Sequence, residues 1–543
     1  MPTVTLNRKE FEKLVGKALP TEELKDRLAY LGTDLDEVTD KDITVEIFPN
    51  RPDMLSEQGL ARAFSSFIGV KGLVQYPVKA ATERLIIEEP VKNVRPYTAC
   101  AIVKGISFTD ERIREVIQIQ EKMHVSYGRN RKKMAIGIYP LEKIKMPIRY
   151  TALPPKEIRF RPLEASREMD GLQILSQHPA GREYGHLLEG KELFPVFIDA
   201  NDEILSMPPL INSEKTGRIN EQTKDVFVEC SGFDFTVLHR GLNMIVTALA
   251  DMGGEIHQMT LAYPEGKKKT PDLKPWEMDL SLAYVNRRLG LELSEKDLKE
   301  HLGRMGHGYQ KGRVQVPAYR ADIIHQVDLV EDIAIAYGYE NFVAEMPKTP
   351  TLGEENAREK QKDRIAEILV GLGLLETSTY HITNKEDQLR KMEAKGELIE
   401  LSNALTIEHS SLRRELLPML LAVLSRNRHN EYPQRIFEMG SVFLEDKDGV
   451  TETGIREEEH LAVALCDAKA DYTSIRQVLD YLMMLTDREV MVKPCEHPSF
   501  IPGRAGRIFI DTVEAGFIGE QLSPAVLANW ELDMPVVGFE IKI

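Results

Sequence analysis

The spacing of apolar positions divides the chain into helical and extended segments that alternate along its length. Ile43, Val45 and Ile47 alternate as a half-buried strand, whereas Phe11, Leu14 and Val15, and then Leu24, Leu28 and Leu31, recur at helical spacing. The turn Asn50-Arg51-Pro52-Asp53 puts its proline where a helix begins, and Leu60, Phe64, Phe67 and Ile68 then share one face. Around 77–82 the pattern lapses. Beyond it, strand-like runs at 97–103, 134–139, 196–199 and 225–229, with helices over 111–123 and 235–251, predict a larger α/β segment. Gly253-Gly254 supplies the stop signal for its last helix.

The stretch 264–275 (PEGKKKTPDLKP) reads as a linker. After it, Ser281 and Ser294 are expected N-caps, the second with Asp297 three residues on. Leu298, Leu302 and Met305 mark a helical face, 313–316 a short strand, and a further helix begins near Val327. A second break at 346–355 opens the last segment. There, helices over 358–372, 411–427 and 474–485 and strands at 398–401, 435–443, 461–466, 507–511 and 536–541 predict an antiparallel sheet flanked by helices. The fold class expected is therefore α+β and multidomain, which agrees with 543 residues at roughly 150 per domain.

Composition narrows the function classes. With 70 basic against 86 acidic residues the net charge is −16, so nucleic-acid contact is confined to local basic patches or a partner subunit. Three such patches occur, 129–133 (RNRKK), 267–269 and 426–429 (RNRH); the first follows Tyr127-Gly128 on an expected loop and is the best placed to touch phosphate. The four cysteines (100, 230, 466 and 495) lie too far apart for a disulfide scaffold or a CxxC zinc site. The longest aliphatic run, 416–424, is too short to span a bilayer, and the N-terminus shows no signal-peptide pattern. A reduced, cytoplasmic, soluble chain is the expectation.

Two constellations could carry chemistry. If the run from Val327 is helical, Asp328, Glu331 and Asp332 stand on one face, and Asp322 just before it can swing to the same spot. Converging carboxylates repel by about 4 kcal/mol per pair at about 4 Å and an effective dielectric near 20; a hard cation such as Mg²⁺ removes that cost. Equally, acids in a first helical turn complement the helix dipole and face water. The second constellation runs from Ser206 through Pro208-Pro209 to Asn212-Ser213, and then Glu229-Cys-Ser231-Gly232-Phe233-Asp234-Phe235-Thr236. Its small polar groups suit either a pocket for a small polar ligand or routine turns and an N-cap. No HExxH and no defensible Ser/His/Asp set is present.

Six motifs then follow in a set order: Asn50-Arg-Pro-Asp-Met-Leu-Ser-Glu-Gln-Gly-Leu-Ala-Arg62, Pro317-Ala-Tyr-Arg-Ala-Asp322, Glu331-Asp-Ile-Ala-Ile-Ala-Tyr-Gly-Tyr339, Ser411-Leu-Arg-Arg-Glu-Leu-Leu-Pro418, Phe437-Glu-Met-Gly440 and Pro502-Gly-Arg-Ala-Gly506. Over its whole length the chain resembles the beta subunits of phenylalanyl-tRNA synthetases, of the shorter archaeal and eukaryotic-cytosolic type. The resemblance implies an N-terminal α/β domain (1–78), a B3/B4 editing domain (79–264), a B5 domain (270–346) and a catalytic-like class II domain (355–543). It implies an α2β2 ligase that charges tRNA(Phe) with phenylalanine at the expense of ATP, ATP and phenylalanine being bound by the alpha subunit. It implies Mg²⁺ on Asp322, Asp328, Glu331 and Asp332, the last standing where longer bacterial relatives tend to carry Glu. It also implies hydrolytic editing of Tyr-tRNA(Phe), and the second constellation is expected to supply the pocket, with Asp234 and Thr236 lining it and Asn212 and Ser213 on its opposite lip.

The class II domain is expected to be non-catalytic. Arg435-Ile-Phe-Glu438 only faintly matches the Arg/Glu strand of a working site, and Gly503-Arg-Ala-Gly-Arg507 lacks the spacing of its Gly-rich, Arg-ending element. Two readings of other classes stay open. A free-standing aminoacyl-tRNA deacylase would have no use for the class II-like segment, and an editing-inactive structural or RNA-binding scaffold is separated only by a deacylation assay.

Overall fold

The computed structural model describes residues 2–348 and 351–543. They form two compact units, one up to Met346 and one from Pro347. The break expected at 346–355 includes two residues, 349 and 350, outside the described ones.

The first unit opens with an antiparallel sheet in the order Thr3–Asn7, Asp42–Glu46, Asp34–Val38. Val4, Leu6, Ile43 and Val45 point from it onto Phe11, Val15, Leu24 and Leu28 of the helices Arg8–Val15 and Thr21–Tyr30. Helix Glu57–Phe67, capped by Ser56, is buried nearly all round. Its Glu57 lies against Glu115, with Glu111 and Glu10 adding repulsion, and one of its carboxyl oxygens has no partner. Burial, and then Glu115, push the Glu57 carboxyl well above its ordinary value of 4.5. The native chain thus keeps a proton that the unfolded chain releases, so this group makes stability fall as pH rises from about 4.5 towards the raised value. Glu57→Gln is expected to flatten that slope and to raise the melting temperature more at about pH 8 than at about pH 5, as read by thermal scans at the two pH values.

The centre of this unit is a ten-stranded sheet. From one edge its strands run Ile211–Asn212, Ile204–Met207, Phe194–Ile198, Ile148–Leu153, Val78–Ile87, Glu255–Tyr263, Tyr97–Lys104, Val226–Gly232 and Met134–Pro140. Alternation along the strands builds two cores. Ala99, Ala101, Val228 and Cys230 face helix Phe235–Asp251, while Cys100, Ile102, Phe227 and Tyr150 face the other way. The expected linker 264–275 is corrected here: Gly266–Thr270 is a strand paired with Glu255–Tyr263. Its lysines are exposed, as suits an edge strand, while Thr270 turns inward and donates to the carbonyl of Cys100. A three-stranded sheet follows (Trp276–Asp279, Arg313–Val316, Gly308–Gln310), packed by helices Leu282–Leu289, Glu295–Arg304 and Gln326–Tyr337. Ser281 and Ser294 cap the first two of these, the latter in a capping box with Asp297.

The second unit is a seven-stranded sheet ordered Leu375–Glu376, Gln434–Glu445, Ile455–Cys466, Val536–Lys542, Val513–Gly519, Ala505–Ile510, Val490–Cys495. Only its first pair is parallel. One face packs helices Ala357–Gly371 and Tyr472–Leu485; the other packs helix Leu417–Arg426, Phe500 and Trp530. The helix expected over 411–427 starts only at Leu417. Ser411–Leu412 is extended because Arg413, the next residue, is drawn into a buried pair with Glu438, and Pro418 suits the helix's first turn. The strand expected at 398–401 is reduced to an isolated bridge, Glu400 to Ser411.

Candidate functional site

The four carboxylates of the first constellation are engaged separately. Arg320, whose side chain is fully buried, donates from Nε and Nη2 to the two oxygens of Asp322 at 2.8 and 2.7 Å, and from Nη2 to Asp332 at 2.8 Å. His307 Nε2 lies 2.6 Å from the same Asp332 oxygen. Burial alone would raise the Asp332 carboxyl; Arg320 and His307 instead hold it well below the usual carboxylate range. Asp328 accepts from the backbone N–H groups of Ile324 and His325 as part of a capping box, and Glu331 accepts from the Tyr339 hydroxyl at 2.7 Å. Among the described residues no group of three acidic, His or Cys side chains could hold a metal ion. The repulsion expected of clustered acids is relieved at Asp322 and Asp332 by the Arg320 guanidinium, and in this arrangement the four carboxylates are held by separate partners rather than gathered around one point. Crystals soaked in Mn²⁺ are expected to show no anomalous peak between these carboxylates; a peak there would reverse this conclusion.

The same network joins two of the sequence motifs. Arg51 holds Asp53 through two bonds of 2.9 Å, and the Arg62 guanidinium lies 4.0 Å from the Tyr319 ring centre while donating to Asp251 and Tyr76. The Arg62–Tyr319 contact, together with Arg320, whose charge helps to hold the Asp53 carboxyl down, ties 51–62 to 319–332.

The second constellation surrounds a cavity of about 110 Å³ whose lining includes Gln120, Glu121, Arg131, Ser206, Asn212 and Glu229. The centre is Glu229, on strand Val226–Gly232. It is 2% exposed, and burial pushes its carboxyl up to about 8 despite the nearby Arg95. One oxygen lies 3.2 Å from the Tyr139 hydroxyl, which also meets Ser206 Oγ at 2.8 Å and Asn212 Oδ1 at 3.2 Å. The other oxygen, Oε2, is buried without a partner. Gly137 makes room for this group: a Cβ there would sit 2.6 Å from Glu229 and 2.2 Å from the Tyr139 hydroxyl.

The wall opposite is set by a turn at the end of helix Asp110–Val125. Arg129, Asn130 and Arg131 all have φ between 49° and 63°, a left-handed run that costs about 1–2 kcal/mol per non-glycine residue. It is pinned by bonds from Asn130 N to the Val125 carbonyl and from Arg131 N to the His124 carbonyl. The run turns the Arg131 side chain inward, where it donates to the Leu210 carbonyl at 2.7 Å and to Glu121 at 3.0 Å. Glu121 would be raised by burial, but His124 and Arg131 bring it down to about 2. His124 is kept neutral by burial; its Nε2 accepts from Ile136 N, leaving Nδ1 to donate to Glu121.

The four residues expected at this pocket are spread along its framework. Asn212 lines the cavity. Ser213, next to it, is buried, and its backbone N–H donates to the Leu205 carbonyl. Asp234 and Thr236 are exposed beyond the end of the Glu229 strand, where Asp234 caps helix Phe235–Asp251 by accepting from Thr236 N at 2.8 Å and Val237 N at 3.2 Å. Sequence reasoning missed Tyr139 and Gly137, gave Glu229 no role of its own within the constellation, and read Arg131 only as part of the basic patch 129–133. An isolated glutamate within the apolar run Val226-Phe-Val-Glu-Cys was the available signal, since an acid in a buried strand needs a reason.

Three family models match the chain. Residues 1–70 match one described as the Phe-tRNA synthetase beta subunit B1 domain, 278–339 the tRNA synthetase B5 domain, and 343–543 the phenylalanyl-tRNA synthetase beta chain CLM domain. The phenylalanine–tRNA ligase beta subunit of Pyrococcus furiosus is 41% identical across 100% of this chain and 99% of its own length, and that of Archaeoglobus fulgidus is 40% identical across 100% and 98%. Among solved structures, an N-terminal fragment of the Pyrococcus horikoshii phenylalanyl-tRNA synthetase beta subunit superposes with a TM-score of 0.59 at 38% identity, covering 62% of this chain and 99% of the fragment. Full-length identity at this level, with matched models at both ends, shows that the chain belongs to the phenylalanine–tRNA ligase beta-subunit family.

Proposed function

We propose that this chain acts with an alpha subunit in an α2β2 ligase that charges tRNA(Phe) with phenylalanine using ATP, and that its own chemistry is hydrolysis of Tyr-tRNA(Phe) at the Glu229 cavity. In this reading 1–78 is an N-terminal domain, 79–264 the editing domain, 270–346 a B5 domain and 355–543 a class II-like domain without catalysis. The observation that carries the editing assignment is the buried, unpartnered Oε2 of Glu229, a residue that lines the cavity.

The chemistry follows from what separates the two amino acids. Tyrosine is phenylalanine plus a hydroxyl, and an apolar synthetic site rejects an added hydroxyl by only about 10²-fold. A second site that bonds the phenol corrects the error. A tyrosyl group in the cavity would pair its hydroxyl with Glu229 Oε2, beside Tyr139 and Asn212. A phenylalanyl group would leave that oxygen buried and unpaired, at a cost of about 1–3 kcal/mol, so the correct product is spared. Water attacks the ester carbonyl, the bond to the terminal ribose oxygen breaks, and tyrosine and tRNA leave. No side-chain nucleophile is required, and burial drives up the thiol pKa values of Cys100 and Cys230, which keeps both unreactive. The neighbouring ribose hydroxyl is the natural group to assist the water.

The absence of adenylation by this chain is supported by the second unit. Arg435 and Glu438 are three residues apart on one strand and so face opposite sides; Arg435 is exposed, and Glu438 is sealed against Arg413 at 2.6 Å and Thr379. Gly506 is spent on packing, since a Cβ there would lie 2.4 Å from Val492. No step here passes through Mg²⁺ at Asp322, Asp328, Glu331 or Asp332.

The test is Tyr-tRNA(Phe) deacylation by the assembled ligase carrying Asn212→Ala, Ser213→Ala, Asp234→Ala or Thr236→Ala. Slowed hydrolysis in Asn212→Ala is expected from its place in the lining. Unchanged rates in any variant would remove that residue from the site.

A further inference from the structure

We propose that the left-handed turn 128–133 and the exposed ring of Phe233 form a docking platform for the single-stranded end of an RNA, whose terminal base stacks on Phe233 while its phosphates meet Arg129, Lys132 and Lys133. This deepens the editing assignment and rests on it for the identity of the strand. The turn and the ring are neighbours by construction. Gly232 pairs with Met134, and a Cβ on Gly232 would sit 2.2 Å from the Lys133 carbonyl, so the turn runs directly against the residue before Phe233.

Phe233 is 54% exposed, unusual for a phenylalanine, and its ring lies 5.5 Å from the Arg95 guanidinium. Arg95 is itself fixed: it is buried and donates to the Ser231 carbonyl at 2.6 Å and to the Arg131 carbonyl at 3.2 Å. The ring therefore has a rigid cationic backing and a free outer face, the features that favour base stacking. Arg129, Lys132 and Lys133 are exposed, and among the described residues none of them enters a salt bridge. In a chain of net charge −16, three unpaired cations on one strained turn form a local patch of the sign a phosphate backbone needs. Asp234, next to Phe233 in the chain, is occupied with capping Thr236 N and Val237 N, and Glu121 is paired with Arg131.

The same turn carries Arg131 into the Glu229 cavity, which connects platform and cavity through three consecutive residues. Along the strand, Glu229 and Phe233 are four residues apart, about 13 Å, within reach of the last nucleotides of one chain. A strand held outside on Phe233 would deliver its esterified end inward past Arg131.

The measurement is binding of a labelled single-stranded RNA with the acceptor-end sequence of tRNA(Phe) to the full chain in its ligase complex, with a blunt RNA duplex as comparison. Phe233→Ala is expected to weaken binding about 10-fold and Phe233→Tyr to restore it, because a phenol ring still stacks. Lys132→Ala with Lys133→Ala is expected to lower the slope of log affinity against log salt by about 0.7 for each phosphate no longer neutralised. In Tyr-tRNA(Phe) deacylation, Phe233→Ala should raise KM more than it lowers kcat. Unchanged affinity and salt slope in both variants, or equal binding of the duplex, would overturn the platform. If deacylation itself is absent while the RNA binds through Phe233, the editing assignment fails and the platform stands; if deacylation proceeds with KM unmoved by Phe233→Ala, the reverse holds.

Discussion

Glu229→Ala is expected to slow Tyr-tRNA(Phe) deacylation by about 10- to 100-fold while leaving phenylalanine charging by the assembled ligase at its wild-type rate. The size follows from losing the one buried group that pairs with the phenol. Folding should tolerate the change, because the Tyr139 hydroxyl keeps Ser206 and Asn212 as partners. Glu229→Gln separates the charge from the hydrogen bond. With its carboxyl raised to about 8, Glu229 is mainly protonated at neutral pH, and a glutamine amide offers the same donor and acceptor. The glutamine variant should therefore match the wild type near neutrality. Above about pH 8 only the wild type gains a charge, so only its rate should change through that region. A glutamine variant as slow as the alanine variant at neutral pH would mean that the ionised form does the recognising.

The largest stability effect is expected at Arg320. Arg320→Met removes the cation shared by Asp322 and Asp332 and leaves a buried carboxylate at Asp332 beside a half-buried one at Asp322, at a cost of about 3–5 kcal/mol. Urea unfolding should show a lowered midpoint, and adding Asp332→Asn to the same chain should recover part of the loss, a coupling that a double-mutant cycle measures. If Asp332 instead served chiefly to bind a metal, Arg320→Met would free it to do so, and divalent ions would rescue the variant. No such rescue is expected, because Asp328 and Glu331 remain bound to the helix start and to Tyr339.

Much of the framework could be read from residue order. The alternation at Ile43, Val45 and Ile47, the caps at Ser281 and Ser294, and the helix 235–251 ended by Gly253-Gly254 are local signals that tertiary packing reinforces. The helix expected from 411 failed for a long-range reason. The demand of buried Glu438 for a cation 25 residues earlier in the chain outweighs local helical preference at Arg413. The lysine triplet 267–269 read as a linker because its charges hide an edge strand whose pattern is carried by the partner it pairs with.

At the sites the division is similar. Spacing placed the carboxylates near one helix, but nothing in sequence told that Arg320, two residues before Asp322, turns inward and claims two of them. Asp234 and Thr236 could be read from sequence either as pocket groups or as the capped start of a helix, and Asp234 does cap helix Phe235–Asp251, in keeping with how well Asp suits a cap. Glu229 stood in the sequence constellation without a role, since its meaning depends on Gly137 and Tyr139 of one strand and Asn212 of another arriving from two other segments.

The most direct test of the account is ATP–pyrophosphate exchange with phenylalanine by this chain purified alone and by the same chain co-expressed with its candidate alpha subunit. A stable complex that exchanges and charges tRNA(Phe), beside a lone chain with no exchange, is the predicted result. Exchange by the lone chain, or a chain that stays unassembled in the presence of alpha, would contradict it.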